Sequence, residues 1–338
     1  MRVADLPTPA LVVDTAALTR NLDTMTAALP GDRLRPHVKA HKCTSLAREQ
    51  ANRGHLGFTG ATPRELLGLA RAGLGDDLLL ANESVDDTRL RALADCRARV
   101  TVAVDSEATI DAAARNGIRE VLVDINVGIP RCGVRADDAA AIAELARARG
   151  LTVRGTMGYE GHAVLVADRA ERDQLTDASM ALLARAHDAV GGEILSGGGT
   201  GTYDLNRIAT EIQAGSYALM DTAYAKLGIP FDLALAVVAT VIHTNPKWTV
   251  ADCGLKALGM DHGNPTIDNA QVLFCSDEHV TFTPNSPALV GDRVLVWPAH
   301  VDPTVAYHDT MHLSDGPGVE AAVIDAWSVD LRGWNEPG

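Results

Sequence analysis

The chain predicts an α/β protein: a (β/α)8 barrel of the TIM type followed by a β domain. Three observations carry this. Eight short strand-like runs alternate with Ala-, Leu- and Arg-rich helical segments between residues 34 and 220, the pattern of parallel βαβ units. Most of these runs end in polar or small residues, as strands do at the mouth of such a barrel. After about residue 235 the helical periodicity gives way to strand-like runs separated by turns rich in Gly, Pro, Asn and Asp. The barrel is assigned to 10–235 and the β domain to 236–338, with residues 1–9 packing against the latter. An open doubly wound sheet is the structural alternative.

The apolar run 10–13 leads into Asp14 and Thr15, whose oxygens suit the start of a helix reaching about Leu29. Strands are expected at 34–39, 57–62, 77–82, 100–105, 120–126, 151–159, 193–197 and about 211–220. Helices are expected at 63–73, 84–95, 106–116, 136–149 and 168–190, three of them opened by Thr62-Pro63, Ser84 and Ser106. In the β domain, strands are expected at 237–242, 248–250, 271–274, 280–282, 293–297, 321–324 and 327–329.

Composition excludes several classes. With 46% apolar and 22% charged residues the chain is an ordinary globular one, and its net charge of −14 argues against nucleic acid or an anionic membrane as partner. The five cysteines form no C-x-x-C pair, so neither a disulfide framework nor a thiolate zinc cluster is indicated. The amino terminus lacks the apolar core of a signal peptide, and the run from Leu233 to Ile242 is too short to span a bilayer. A cytoplasmic protein is expected.

Four clusters carry chemistry. In Leu34 to Lys42, an extended backbone puts His37, Lys39 and His41 on one face, and a poorly solvated amine there has the lowered pKa that Schiff-base formation needs. A basic strand end touching solvent or a phosphate is the plainer reading. Ser196 to Thr202, a glycine run after a late strand, suits close approach to an anion, with Gln213 to Tyr217 as a second donor-rich loop; a merely flexible loop is the alternative. The run has no Walker lysine, which argues against a nucleoside triphosphate. Asp124 to Gly133 brings Arg131, a permanent cation, to the fifth strand's end, where an ordinary surface arginine is the plainer reading of the pattern alone. In Trp297 to Pro303, His300 and Asp302 on an extended segment would face the same way and grip one cation, although an H-x-D pair alone is common. His308, Asp309 and His312 are nearby further candidates.

Taken together, these segments resemble the D-threonine aldolase and D-serine dehydratase family of pyridoxal-phosphate enzymes, which share the alanine racemase-like fold. The resemblance spans nearly the whole chain: Thr8 to Asp14, Arg35 to Lys42, Asp124 to Gly133, Gly158 to His162, the glycine run, Gln213 to Asp221, Asp252 to Leu258, Ser276 to His279 and the His300/Asp302 pair. It implies that Lys39 holds pyridoxal 5'-phosphate as an imine, with His37 and Tyr159 beside the cofactor and Arg131 facing the pyridine nitrogen. Gly198, Gly199, Thr200, Gly201 and Thr202, together with Gly215, Ser216 and Tyr217, would hold the phosphate. Lys39, Tyr159 and His162 would be catalytic, and His300 and Asp302 would bind a divalent metal, manganese first, with magnesium or zinc also suited.

In this family a histidine–aspartate pair goes with aldolases and a histidine–cysteine pair with zinc-dependent dehydratases. The implied activity is therefore metal-dependent retro-aldol cleavage of a D-β-hydroxy amino acid to glycine and an aldehyde, by a homodimer acting on a small amino-acid substrate. Dehydration of a D-serine- or D-3-hydroxyaspartate-type substrate to a keto acid and ammonia is the alternative. A non-catalytic pyridoxal-phosphate-binding protein is a further one, against which the metal pair argues.

Overall fold

Short apolar runs form a parallel sheet in the order Gly57–Gly60, Asp77–Leu80, Val100–Val104, Glu120–Asp124, Thr152–Gly158, Ile194–Gly197 and Glu211–Ile212 in the computed structural model, which describes residues 1–334. Chain neighbours are sheet neighbours throughout, which is the order of a barrel and not of a doubly wound sheet. The circle closes through 34–37. Leu34 pairs in parallel with Ile212, and His37 pairs in parallel with Thr59. The Arg35 N–H donates to the Ile212 carbonyl and the His37 N–H to that of Ala214, both at 3.0 Å, while the Pro36 carbonyl accepts from Thr59 at 2.9 Å. Pro36 is tolerated because the ladder asks only its carbonyl to bond.

The strand expected over 34–39 therefore stops at His37. Val38–Ala40 is a 3-10 turn, so Lys39 does not share a strand face with His37; its backbone N–H lies 3.5 Å from the His37 Nδ1. The last expected strand is likewise short, Glu211–Ile212, and gives way to a 3-10 turn at Ser216–Ala218.

The helices between strands start where side chains cap them. Thr62 accepts from the Glu65 N–H, and Glu65 accepts from the Ala61 and Thr62 N–H groups, fixing the start of Pro63–Arg71. Ser106 does the same for Glu107–Arg115. Ser84 does not cap: Asp86 accepts from the Arg89 N–H instead, and the helix begins later, at Asp87–Asp95. Leu79, Ala103, Leu122, Met157 and Ile194 pack into one buried cluster across the sheet.

The amino-terminal face of the barrel is sealed by charge. Arg35 Nε donates to Glu211 at 2.8 Å, while its Nη1 and Nη2 donate to the Asp77 carbonyl and carboxylate at 3.0 Å each. Arg154 completes the set, donating to the Asp77 carboxylate at 2.8 and 3.0 Å, to Thr101 at 2.8 Å and to Glu193 at 2.9 Å. Both guanidinium side chains are about 95% buried, at 6% and 5% exposure. Such pairs hold the structure only while complete, because removing one partner strands a buried charge.

Contacts group the chain into two units. One comprises Met25–Lys39 and Leu46–Gly215, with Gly333 and Trp334; the other comprises Met1–Thr24, Ala40–Ser45 and Ser216–Arg332. The change of unit at 215/216 falls earlier than the sequence-based division at 235/236, and residues 335–338 of the expected β domain lie outside the described residues. Ala10–Asp14 joins the second unit because it pairs antiparallel with Leu235–Thr244 and parallel with Thr310–Ser314. Leu235–Thr244 is the hub of this mostly antiparallel sheet, pairing also with Thr249–Ala251 and Arg293–Trp297. Val3, Leu6, Ala10, Val12 and Val238 form a core of this unit.

The sequence pattern misses the helix Val301–Tyr307 and the strand Thr310–Ser314, and the two strands expected at 321–324 and 327–329 are one, Val323–Ser328. The five cysteines are free thiols. Among the described residues no helix is long and apolar enough to cross a membrane.

Burial pushes the Asp77 carboxyl up, but Arg154 and Arg35 outweigh it and hold the group down at about 2. A carboxyl with a depressed folded-state pKa stabilises the fold above its unfolded value, about 3.9, and loses that contribution as pH falls through 2. Asp77→Asn is expected to cost about 3 kcal/mol in urea unfolding at neutral pH. It should also flatten the acid loss of stability between about pH 4 and 2. Unchanged unfolding midpoints would contradict this role for the network.

Candidate active site

In the barrel unit the candidate residues follow the carboxyl ends of the parallel strands. The glycine run leaves Ile194–Gly197 in a conformation that side chains oppose. Gly198 has φ +79°, and a Cβ on Gly201 would lie 1.9 Å from the Val164 carbonyl oxygen. The Gly199 N–H donates to Thr202 Oγ1 at 3.1 Å, and that hydroxyl donates to Glu160 at 2.6 Å. The other Glu160 oxygen accepts the Gly198 N–H at 3.2 Å. Thr202 thus bonds inward to Glu160, where an outward donor is expected. Such a cradle, narrow enough to exclude side chains and lined by backbone and hydroxyl groups, fits a phosphate monoester.

Glu160 carries no functional assignment in the sequence reading. Burial pushes its carboxyl up, while Thr202, the Gly198 N–H and His162 oppose that rise. The available signal is an acidic residue in a strand-to-helix loop with no basic residue before His162.

Arg131, Tyr159 and His162 are brought together by two loops. Asn126 ties its own loop, donating to the Ile129 carbonyl at 2.9 Å and accepting the Gly128 N–H at 3.1 Å. Gly133 donates to Asp105 at 3.2 Å, and Val134 returns to pair with Ile125. The Arg131 guanidinium then lies 5.5 Å from the centre of the Tyr159 ring. The His162 ring lies against Gly128, where a Cβ would be 2.5 Å from it.

The strand that leads into the Arg131 loop ends in a carboxyl group that the sequence motifs leave unassigned. Asp124 is buried, and burial, then Glu83, pushes its pKa well up while Arg131 opposes. A hydrogen bond to Glu83 pushes the Cys132 thiol up to about 11.

In the second unit, His300 and Asp302 do not lie on one extended segment. His300 is extended and precedes the helix Val301–Tyr307, so Asp302 stands in its first turn. Even so, His300 Nε2 and Asp302 Oδ1 are 4.0 Å apart. Asp221, fully buried, accepts the Val301 N–H at 3.0 Å and the Tyr224 N–H at 2.9 Å, pinning the backbone between the two. Burial pushes Asp221 up to about 6. The other ring nitrogen, His300 Nδ1, lies 2.8 Å from Asp261, and the His262 ring stacks 3.8 Å from that of His300.

A carboxylate on Nδ1 fixes the tautomer and leaves Nε2 as the ligand, the arrangement that metal-binding histidines adopt. The nitrogen and oxygen donors therefore fit a divalent cation. Ser216, expected at the phosphate, donates to Asp302 at 3.2 Å. Tyr217 packs on Phe231, ring centres 5.8 Å apart. His308 bonds the Ala257 carbonyl, and neither it nor Asp309 or His312 belongs to the histidine–aspartate cluster.

Residues 13–240 match the family described as alanine racemase, N-terminal domain, and residues 234–314 match the putative serine dehydratase domain. The chain belongs to the alanine racemase-like family. Within it, the chain falls in the D-threonine aldolase and D-serine dehydratase group. It is 33% identical to a 3-hydroxy-D-aspartate aldolase of Paracoccus denitrificans (strain Pd 1222), over 98% of this chain and 94% of that one. The crystal structure of D-threonine aldolase from Filomicrobium marinum matches with a TM-score of 0.91 at 34% identity, covering 97% of this chain and 96% of that one. A D-threo-3-hydroxyaspartate dehydratase of Delftia sp. (strain HT23) is 30% identical over 76% of this chain and 74% of its own.

Asp261→Asn is expected to weaken divalent-cation affinity by about ten- to a hundredfold, read by calorimetric titration with manganese. An unchanged affinity would mean that Asp261 plays no part in presenting His300.

Proposed function

We infer that this protein is a lyase that cleaves D-β-hydroxy amino acids of the D-threonine type to glycine and an aldehyde, using pyridoxal phosphate and a divalent metal. The observation that carries this reading is the His300–Asp302 pair with its Asp261 support, in a chain a third identical to a named aldolase. Pyridoxal phosphate, when bound, supplies the electron sink for the carbanion left at Cα, and the metal supplies Lewis acidity toward the β-hydroxyl.

The residues divide the remaining work. Lys39, the second residue beyond the closing strand segment, holds the cofactor's aldehyde. The run Gly198 to Thr202, with Gly215 to Tyr217, holds the phosphate, and His37 and Tyr159 flank the ring. Arg131 stays protonated, so a pyridine nitrogen facing it stays unprotonated. His300 and Asp302 bind the cation. His162, exposed in the loop that follows Thr152–Gly158, takes the hydroxyl proton as the Cα–Cβ bond breaks.

Dehydration is the second reading, favoured by the match of 234–314 to the putative serine dehydratase domain. The two differ in product, glycine with aldehyde against keto acid with ammonia. D-threonine and D-allo-threonine are expected to give glycine and acetaldehyde, and L-threonine to be untouched. Chelator should abolish turnover and manganese restore it, while Asp302→Ala should keep the cofactor's visible absorbance and lose nearly all turnover. Full activity of chelator-treated, metal-free protein would overturn the role of the metal pair. Keto acid as the main product would replace the aldolase with the dehydratase.

A further inference from the structure

The glycine run is bonded from behind by a carboxyl group to which the reaction above gives no task. Glu160 is 0% exposed and holds the Gly198 N–H at 3.2 Å and the Thr202 hydroxyl at 2.6 Å. The Thr202 oxygen already accepts the Gly199 N–H at 3.1 Å. A hydroxyl has a single hydrogen to give. While Glu160 is ionised, that hydrogen is committed to the carboxylate, and Thr202 has nothing to offer an anion. The ionised carboxylate also repels a second anion placed in the same loop, and little solvent screens the two.

The charges facing Glu160 are few. His162, on its own loop, is the titratable group that favours the ionised form, and Arg131 of the preceding loop lies over the neighbouring Tyr159 ring. The run Ser196 to Thr202 brings amides and hydroxyls but no charged side chain. Burial acts in the opposite sense to His162 and raises the proton affinity of the carboxyl.

We propose that the glycine run takes up a phosphate monoester together with one proton from solvent, and that Glu160 carries that proton. Protonated Glu160 donates to the Thr202 oxygen, so the 2.6 Å hydrogen bond reverses direction. The Thr202 oxygen then accepts from Glu160 and Gly199, and its own hydrogen is released toward the phosphate. The bond to the Gly198 N–H is kept, since a neutral carboxyl still has a carbonyl oxygen to accept it. Glu160 is in this sense a positioning residue that acts through Thr202. The inference rests on reading this run as the cofactor's phosphate site.

Phenyl phosphate is the probe, because it has neither an aldehyde to condense with Lys39 nor a ring nitrogen that could lose a proton beside Arg131. Near pH 8 its phosphate is a dianion, being well above a second pKa of about 6. Calorimetric titration of the full chain freed of cofactor, repeated in buffers of different ionisation enthalpy, counts the protons taken up on binding. Wild-type protein should take up close to one, with affinity falling up to tenfold per pH unit as pH rises. Glu160→Gln, whose amide mimics the protonated acid, should bind at least as tightly with no uptake and no such pH slope. Thr202→Val should keep the uptake but lose roughly tenfold or more in affinity, one hydrogen bond to a charged group. Binding by the wild type with no uptake, or the same uptake in Glu160→Gln, overturns the proton coupling alone. No binding by the wild type overturns the phosphate reading along with it.

Discussion

Closure of the barrel at 34–37 is the constraint on which the site depends. Seven strands pair in chain order, but the eighth position is filled by a four-residue segment that includes a proline. So short a segment contributes few ladder bonds. Arg35 compensates, reaching Asp77 on one side and Glu211 on the other, so that one guanidinium bridges strands lying on both sides of the gap. The register this sets determines where the chain leaves the barrel, and Lys39 is the second residue past that exit. A side chain buried at the amino-terminal end of the barrel thereby helps set where the backbone of Lys39 lies.

The same division between holding and reacting recurs elsewhere. Asn126 and Gly128 shape the loop that lays Arg131 over Tyr159, and Gly128 leaves room for His162. Asp221 pins the backbone between His300 and Asp302, and Asp261 turns the imidazole. Acidic residues do much of this holding, and they do it buried, which is why the carboxyls of Glu160, Asp124 and Asp221 are all pushed up. Burial of an acid close to a site for an anion makes its protonation state part of ligand binding.

Much of the fold is legible in the sequence because periodicity and capping are local. The alternation of apolar runs gives the barrel strands before the last to within a few residues, and Thr62 and Ser106 cap where their spacing predicts. Non-local effects account for the rest. The bonds that hold the closing segment up to His37 come from Ala214 and Thr59, more than twenty positions away, so its end is not visible in any window around Lys39. Ala10–Asp14 falls within the residues assigned to the barrel but is drawn into the second sheet by residues more than two hundred positions away. Val301–Tyr307 is hidden by Pro303, which the first turn of a helix tolerates.

The site shows the same split. His300 and Asp302 stand out by spacing, although the structure brings them together across a helix start instead of along a strand. Asp261 and Glu160 do not stand out, since a carboxylate that positions another residue carries no motif of its own. Lys39, which follows the closing segment, is the amine proposed to hold the cofactor. Borohydride reduction of the holoprotein, followed by peptide mapping, tests it directly. The expected result is a pyridoxyl group on Lys39 and none on Lys42, whose carbonyl is tied to the Leu331 N–H in the second unit. A label on Lys42, or on no lysine, would contradict it.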